Sequence, residues 1–239
     1  MRSPQPAESA SDSSVGRVFR AARRAYIGLR AAPKTLLFNL RYLPFRQALS
    51  LPIVVSHRVK MEWLGGRIEL SGPLRTGMIR LGFGSVDIFD PARQRAVWSN
   101  RGAITFRGRA RLGHGFRISV RAGGRLTMGD RFEISAQSTI LCRSQIEFGD
   151  DCLLAWDVLV MDSDWHVLSY EGARRSGESI TIGDHVWIGC RSLILKGTWL
   201  GSGCVVAAGS TVAGLVAEPE ALLAGAPARA VRNKVSWHA

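Results

Sequence analysis

The stretch MDSDWH, residues 161–166, sets an imidazole beside two carboxylates and an indole. A neutral imidazole is the side chain best suited to take a proton from a hydroxyl near pH 7. Asp162 and Asp164 are both close enough in sequence to hold such an imidazole in one tautomer, and the spacing does not choose between them. Trp165 is a candidate substrate contact. Tyr170, Arg174 and Arg175 follow within the same irregular run, which ends near residue 180. His57, His114, His185 and His238 have no such company, and their spacing offers no trio for a catalytic zinc. No metal site is expected.

The run around His166 interrupts a repeat, and the repeat dictates what must position it. Ile182, Ile188, Ile194, Leu200, Val206 and Val212 recur every six residues, and Gly183, Gly189 and Gly201 follow three of them. The same spacing joins Met128, Ile134 and Ile140, then, after a shift of two, Phe148, Leu154 and Val160; Leu112 and Ile118 suggest an earlier turn of the repeat. Six is neither the helical 3.6 nor an ordinary hairpin spacing, although Leu126/Met128, Ile146/Phe148 and Ile180/Ile182 alternate as strands do. Three short strands per coil satisfy both facts, each strand pairing in parallel with its copy about 4.8 Å along the axis. Every sixth aliphatic then points inward. Glycine after it suits either a positive φ or a close backbone approach, and Asp130, Asp150, Asp184 and Ser202 suit solvated corners. Such a wall takes extra residues only at a corner, so the excursion near His166 is a loop on a rigid scaffold, where function concentrates.

The segments IEFGDDCLLAWDVLVMDSDWH (146–166), ITIGDHVWIGCRSLILKGTWLGSGCVVAAGSTV (180–212) and LLAGAPARAVR (222–232) resemble the hexapeptide-repeat acyltransferases, among them the maltose and galactoside acetyltransferases and many polysaccharide O-acetyltransferases. The resemblance implies a left-handed parallel β-helix; with the basic, partly helical N-terminal segment read from charge and apolar spacing, and a C-terminal capping segment, the expected fold class is all-β. The resemblance also implies His166 as general base, acetyl-CoA as acyl donor, and a homotrimer with sites between neighbouring coils. It places the pantetheine groove near Trp187, Cys190, Ala208 and Gly209, with Lys196 a further contact. Arg229 and Arg232 match phosphate-binding positions, or are solvated charges near the C-terminus. Ser135 stands where galactoside-type enzymes carry an acceptor-binding asparagine, so the acceptor does not carry over. The expected activity is O-acetylation of a sugar or glycan precursor in surface polysaccharide synthesis. N-acetylation of an amino sugar and a non-catalytic scaffold are the alternatives.

The expected organisation is a disordered tail (1–14), a basic amphipathic segment (15–74), a β-helix domain (75–214) with a catalytic loop (161–180), and a loop and cap (215–239). The net charge of +13 is uneven: residues 1–60 hold eleven Lys and Arg against Glu8 and Asp12. Apolar residues interleave with those arginines at near-helical spacing. That pattern suits either peripheral contact with an anionic membrane or a cap on the open end of the coil. No nucleic-acid motif accompanies the charge. The uncharged run QALSLPIVVSH is too short to span a bilayer. The N-terminus lacks a signal-peptide pattern, and the four cysteines lack CxxC spacing. A cytoplasmic protein, possible at the inner membrane face, is the expectation.

Overall fold

The computed structural model describes residues 14–84, 86–91, 93–166 and 179–238. Twenty-three short strands form three parallel sheets, the first of nine strands beginning with Ile53–Val55, the second of seven beginning with Val59–Trp63 and the third of seven beginning with Arg67–Leu70, and up to the last strand consecutive strands pass from one sheet to the next. Each strand pairs with its copy one coil away, as in Thr139↔Leu159↔Leu193 and Ile146↔Ile180. The core is the stack of inward aliphatics: Ile134, Ile140, Leu154, Val160, Ile188 and Ile194 are all fully buried. Every aliphatic named in the repeat lies in this core.

The coils begin earlier and end later than the spacing indicates. Strands Ile53–Val55, Val59–Trp63 and Arg67–Leu70 form a first coil inside the segment expected to precede the β-helix. Val216–Ala217 and Leu222–Gly225 extend the far end beyond Val212, and Ala228–Arg232 closes the first sheet antiparallel to Leu222–Gly225. The early coils escape a six-residue ruler because their connections are longer, as between Leu81 and Ala96.

Helix α1 (Ser14–Tyr42) caps the open end with its C-terminal half. Asn39 brackets Ile53, donating Nδ2 to its carbonyl at 2.6 Å and accepting its N–H at 3.2 Å. Thr35 Oγ1 accepts the N–H of Val55 at 3.0 Å, and Lys34 Nζ donates to the carbonyls of His57 and Val59, both at 2.7 Å. These bonds satisfy polar groups of the terminal strand that an uncapped edge would leave open. Partial burial, with Arg95 nearby, lowers the Lys34 pKa.

The corners have different chemistries. Where the third sheet returns to the first, side chains tie coil to coil: Asp150 Oδ1 accepts the N–H of Asp130 at 2.7 Å, Asp184 Oδ1 that of Asp150 at 2.8 Å, and Ser202 Oγ that of Asp184 at 3.0 Å. Glycine is required here for close approach: a Cβ on Gly183 would lie 2.6 Å from the N of Ser202. Positive φ falls two residues later, at Arg131, Asp151 and His185.

Candidate functional site

His166 is exposed on the corner that joins the second sheet to the third, just after strand Leu159–Met161. Asp162 is fully buried, and its two oxygens accept the backbone N–H groups of Arg143 (2.7 Å) and Ser144 (2.8 Å) on the preceding coil. Its carboxylate thus holds the corner from which the loop departs. Asp164 is engaged with Lys196 Nζ at 2.5 Å, on the corner of the following coil. Lys196, expected as a cofactor contact, thereby anchors the segment leading to His166. Trp165, at φ 63°, lies 5.3 Å from the guanidinium of Arg121 and 5.9 Å from that of Arg143. Tyr170, Arg174 and Arg175 lie outside the described residues.

A second feature occupies a different corner. A groove of about 530 Å³ runs over the outer face of the first sheet and its junction with the second. Trp187, Cys190 and Ala208, three of the residues expected near the donor, line it, and Ser135 lines the same groove. The residue singled out for the acceptor therefore sits with the donor candidates. Gly209 closes the adjoining turn at φ 71°, where a glycine is free of strain. Gly189 keeps the floor bare, since a Cβ there would lie 2.6 Å from the N of Ala208. Arg229 and Arg232 are exposed on the closing strand next to Leu222, another residue of the groove wall.

The sequence reading missed what covers one side of this groove. Trp237 stacks on His185 at 4.4 Å with planes 8° apart, and its indole N–H donates to the His185 carbonyl at 2.9 Å. The same indole lies 6.0 Å from that of Trp187. The segment is short and has no repeat, so only its aromatic content hinted at a role.

Among the cysteines, burial pushes the Cys142 and Cys152 thiols up to about 12 and raises that of Cys204. Cys190 is partly exposed in the groove. Among the described residues, no group of three or more His, Cys, Asp or Glu side chains is gathered around a common point. No helix among the described residues is long and apolar enough to cross a membrane.

Residues 179–214 match the bacterial transferase hexapeptide family (six repeats). An uncharacterised 24.8 kDa protein in the cps region of Klebsiella pneumoniae is 31% identical over 139 residues, covering 58% of this chain and 62% of the relative. Galactoside O-acetyltransferase of Escherichia coli K12 is 32% identical over 115 residues, covering 46% of this chain and 55% of the relative. The chain thus spans less than two thirds of either relative's length. The crystal structure of the polySia specific acetyltransferase NeuO aligns at 21% identity and a TM-score of 0.48, with 79% of each chain covered. The chain carries the hexapeptide repeat of the bacterial transferases and resembles the sugar and polysaccharide O-acetyltransferases among its relatives.

Proposed function

We propose that this protein transfers an acetyl group from acetyl-CoA to a hydroxyl of a sugar or glycan precursor in surface polysaccharide synthesis. The groove supports the donor half of this reading. Its walls of aliphatic, aromatic and bare backbone surface suit a pantetheine arm. Exposed Arg229 and Arg232 on the bordering strand suit the phosphates at the arm's far end. His166 takes the proton of the acceptor hydroxyl as its oxygen attacks the thioester carbon. The tetrahedral oxyanion is met by a wall amide, the C–S bond breaks, and the departing thiolate recovers the proton from the imidazolium.

One observation carries the assembly. The groove lies at the corner between the first and second sheets, whereas His166 lies at the corner between the second and third. A three-residue strand such as Leu159–Met161 holds these corners on the order of 10 Å apart on one coil. In a homotrimer with threefold symmetry, the His166 corner of one chain meets the groove of the next. Each site is then completed by two chains.

The test is acetyl-CoA turnover with a panel of glycan acceptors, read by thiol release and product mass. His166→Ala should lower kcat by about 10²–10⁴-fold, with melting unchanged because the residue is exposed. Mixed oligomers of His166→Ala and a groove-blocked Cys190→Trp chain should recover activity that neither variant has alone. Unaltered turnover in His166→Ala overturns the base assignment, and failure of mixed oligomers to recover overturns the shared site. A product acetyl group resistant to mild base means N-acetylation instead.

The outer face of α1 supports peripheral membrane contact. Val18, Leu29, Leu36, Leu37 and Leu40 are exposed along it, with exposed Arg23, Arg30 and Arg41 on the same helix. Such a face suits an anionic surface, where each basic residue contributes about 1 kcal/mol. Leu29→Glu with Leu36→Glu should abolish sedimentation with phosphatidylglycerol vesicles while leaving the cap bonds of Thr35 and Asn39 intact. Undiminished sedimentation would remove α1 from membrane binding.

A further inference from the structure

Several arginines on the sheet faces and at the other corners meet carboxylates: Arg107 with Glu147 at 2.6 Å, Arg111 with Glu133, Arg131 with Asp151 and Asp130, and Arg109 with Asp130 at 3.5 Å. Arg101, Arg121 and Arg143 differ. Each follows one of three residues in direct register, Asn100↔Val120↔Cys142, so they form one column along the second corner, about 4.8 Å apart per coil. All three are exposed, and among the described residues none makes an ion pair. Indole faces hold them instead: Arg101 lies 4.2 Å from the Trp63 ring centre, while Arg121 and Arg143 flank Trp165.

Three like charges stacked on successive rungs repel one another; elsewhere an acid on the neighbouring rung relieves such charge, as Glu133 does for Arg111 and Asp151 for Arg131. Here Asp162 is engaged by backbone amides and Asp164 by Lys196, while Glu62 pairs with Lys60 and feels Arg101 only as a further charge. Beside the column a polar groove of about 480 Å³ opens, walled by Arg101 together with Arg67 and Arg125. Its floor is backbone, because a Cβ on Gly102 would lie 2.3 Å from the Gly124 carbonyl oxygen. The glycines are required by coil packing, and the cations give the groove its sign. The column leads to Trp165 and, one residue further, to His166.

We propose that Arg101, Arg121 and Arg143 form a track for an extended acceptor bearing anionic oxygens, carboxylate or phosphate, which leads its hydroxyl to His166. Planar guanidiniums bind both groups in paired hydrogen bonds. Trp165, close to two of them and partly exposed, offers aromatic surface to a sugar ring. The inference rests on the acyl-transfer reading but concerns the acceptor's charge, which that reading leaves open.

Binding is therefore measured apart from turnover, by calorimetry on the full chain and on its His166→Ala variant. The probes are galacturonate hexamers, neutral dextran oligomers of equal length, and UDP-glucose. Galacturonate or UDP-glucose should bind to both proteins at low salt, and dextran at least tenfold more weakly. A carboxylate-only response identifies an acidic glycan, and a UDP-glucose-only response a diphosphate-linked sugar; either supports the track. Arg121→Gln and Arg143→Gln should each weaken binding about tenfold, whereas Arg107→Gln, which removes an arginine paired with Glu147 at another corner, should not. Equal affinity for dextran, or affinity indifferent to Arg121→Gln and Arg143→Gln, overturns the track. Absence of acetyl-CoA turnover with anion binding intact would instead overturn the acyl-transfer reading.

Discussion

Lys196 Nζ lies 2.5 Å from the Asp164 carboxylate and so ties the segment two residues before His166 to the next coil. Both side chains are partly solvated, so the pair is worth about 0.2–1 kcal/mol. If that energy is spent on orienting the loop, Lys196→Ala should lower kcat about 1.5–5-fold. Melting should hardly change. Asp164→Asn should give the same loss, and the double variant no more than either alone. Additive losses in that cycle would show that Lys196 acts elsewhere, for instance on the donor.

Asp162 should behave differently although it is only two residues away. Asp162→Ala leaves the part-buried amides of Arg143 and Ser144 without their acceptor, at up to about 1–3 kcal/mol each. Chemical denaturation should register the loss directly, with any fall in kcat following from a displaced loop. A variant as stable as the parent would mean that water replaces the carboxylate without penalty.

Thiol labelling reads the groove. Cys142, Cys152 and Cys204 have raised pKa values through burial, whereas Cys190 is partly exposed, so the native chain should take up one equivalent of a thiol reagent quickly. Acetyl-CoA should slow that uptake if the groove holds the donor. Protection absent at saturating acetyl-CoA would place the donor elsewhere.

His114 makes stability depend on acid. The residue is buried against Phe89, and burial pushes its pKa below 6.5, with the Gly84 backbone partly opposing and Arg58 adding to the shift. The folded pKa is the lower one, so above pH 6.5 both states are neutral and nothing is lost. As pH falls from about 6.5 toward the folded pKa, the unfolded chain binds the proton first and stability declines. His114→Phe should flatten the fall in melting temperature between pH 7 and pH 5. An unchanged slope would assign that loss to other groups, among them His57, whose pKa burial also lowers.

The six-residue spacing of Ile182, Ile188, Ile194, Leu200, Val206 and Val212 was enough, without coordinates, to require short parallel strands and an inward aliphatic stack. Where the corners are short and equal, every inward position recurs at six, so fold and core were legible locally. The same reasoning made the run at 161–180 a corner loop and drew attention to His166. The bounds of the coil were not legible at Ile53 or beyond Val212, because connections of unequal length hide the period there. Nor could spacing apportion the acids. Asp162 and Asp164 look equivalent in sequence, yet register sets one over the amides of Arg143 and Ser144 and the other beside Lys196. Tertiary structure alone separated the His166 corner from the groove of Trp187 and Cys190, and aligned Arg101, Arg121 and Arg143, which are 20 and 22 residues apart in sequence. Coiling brings distant residues onto one rung-by-rung column, and only the register of every preceding coil determines which residues those are.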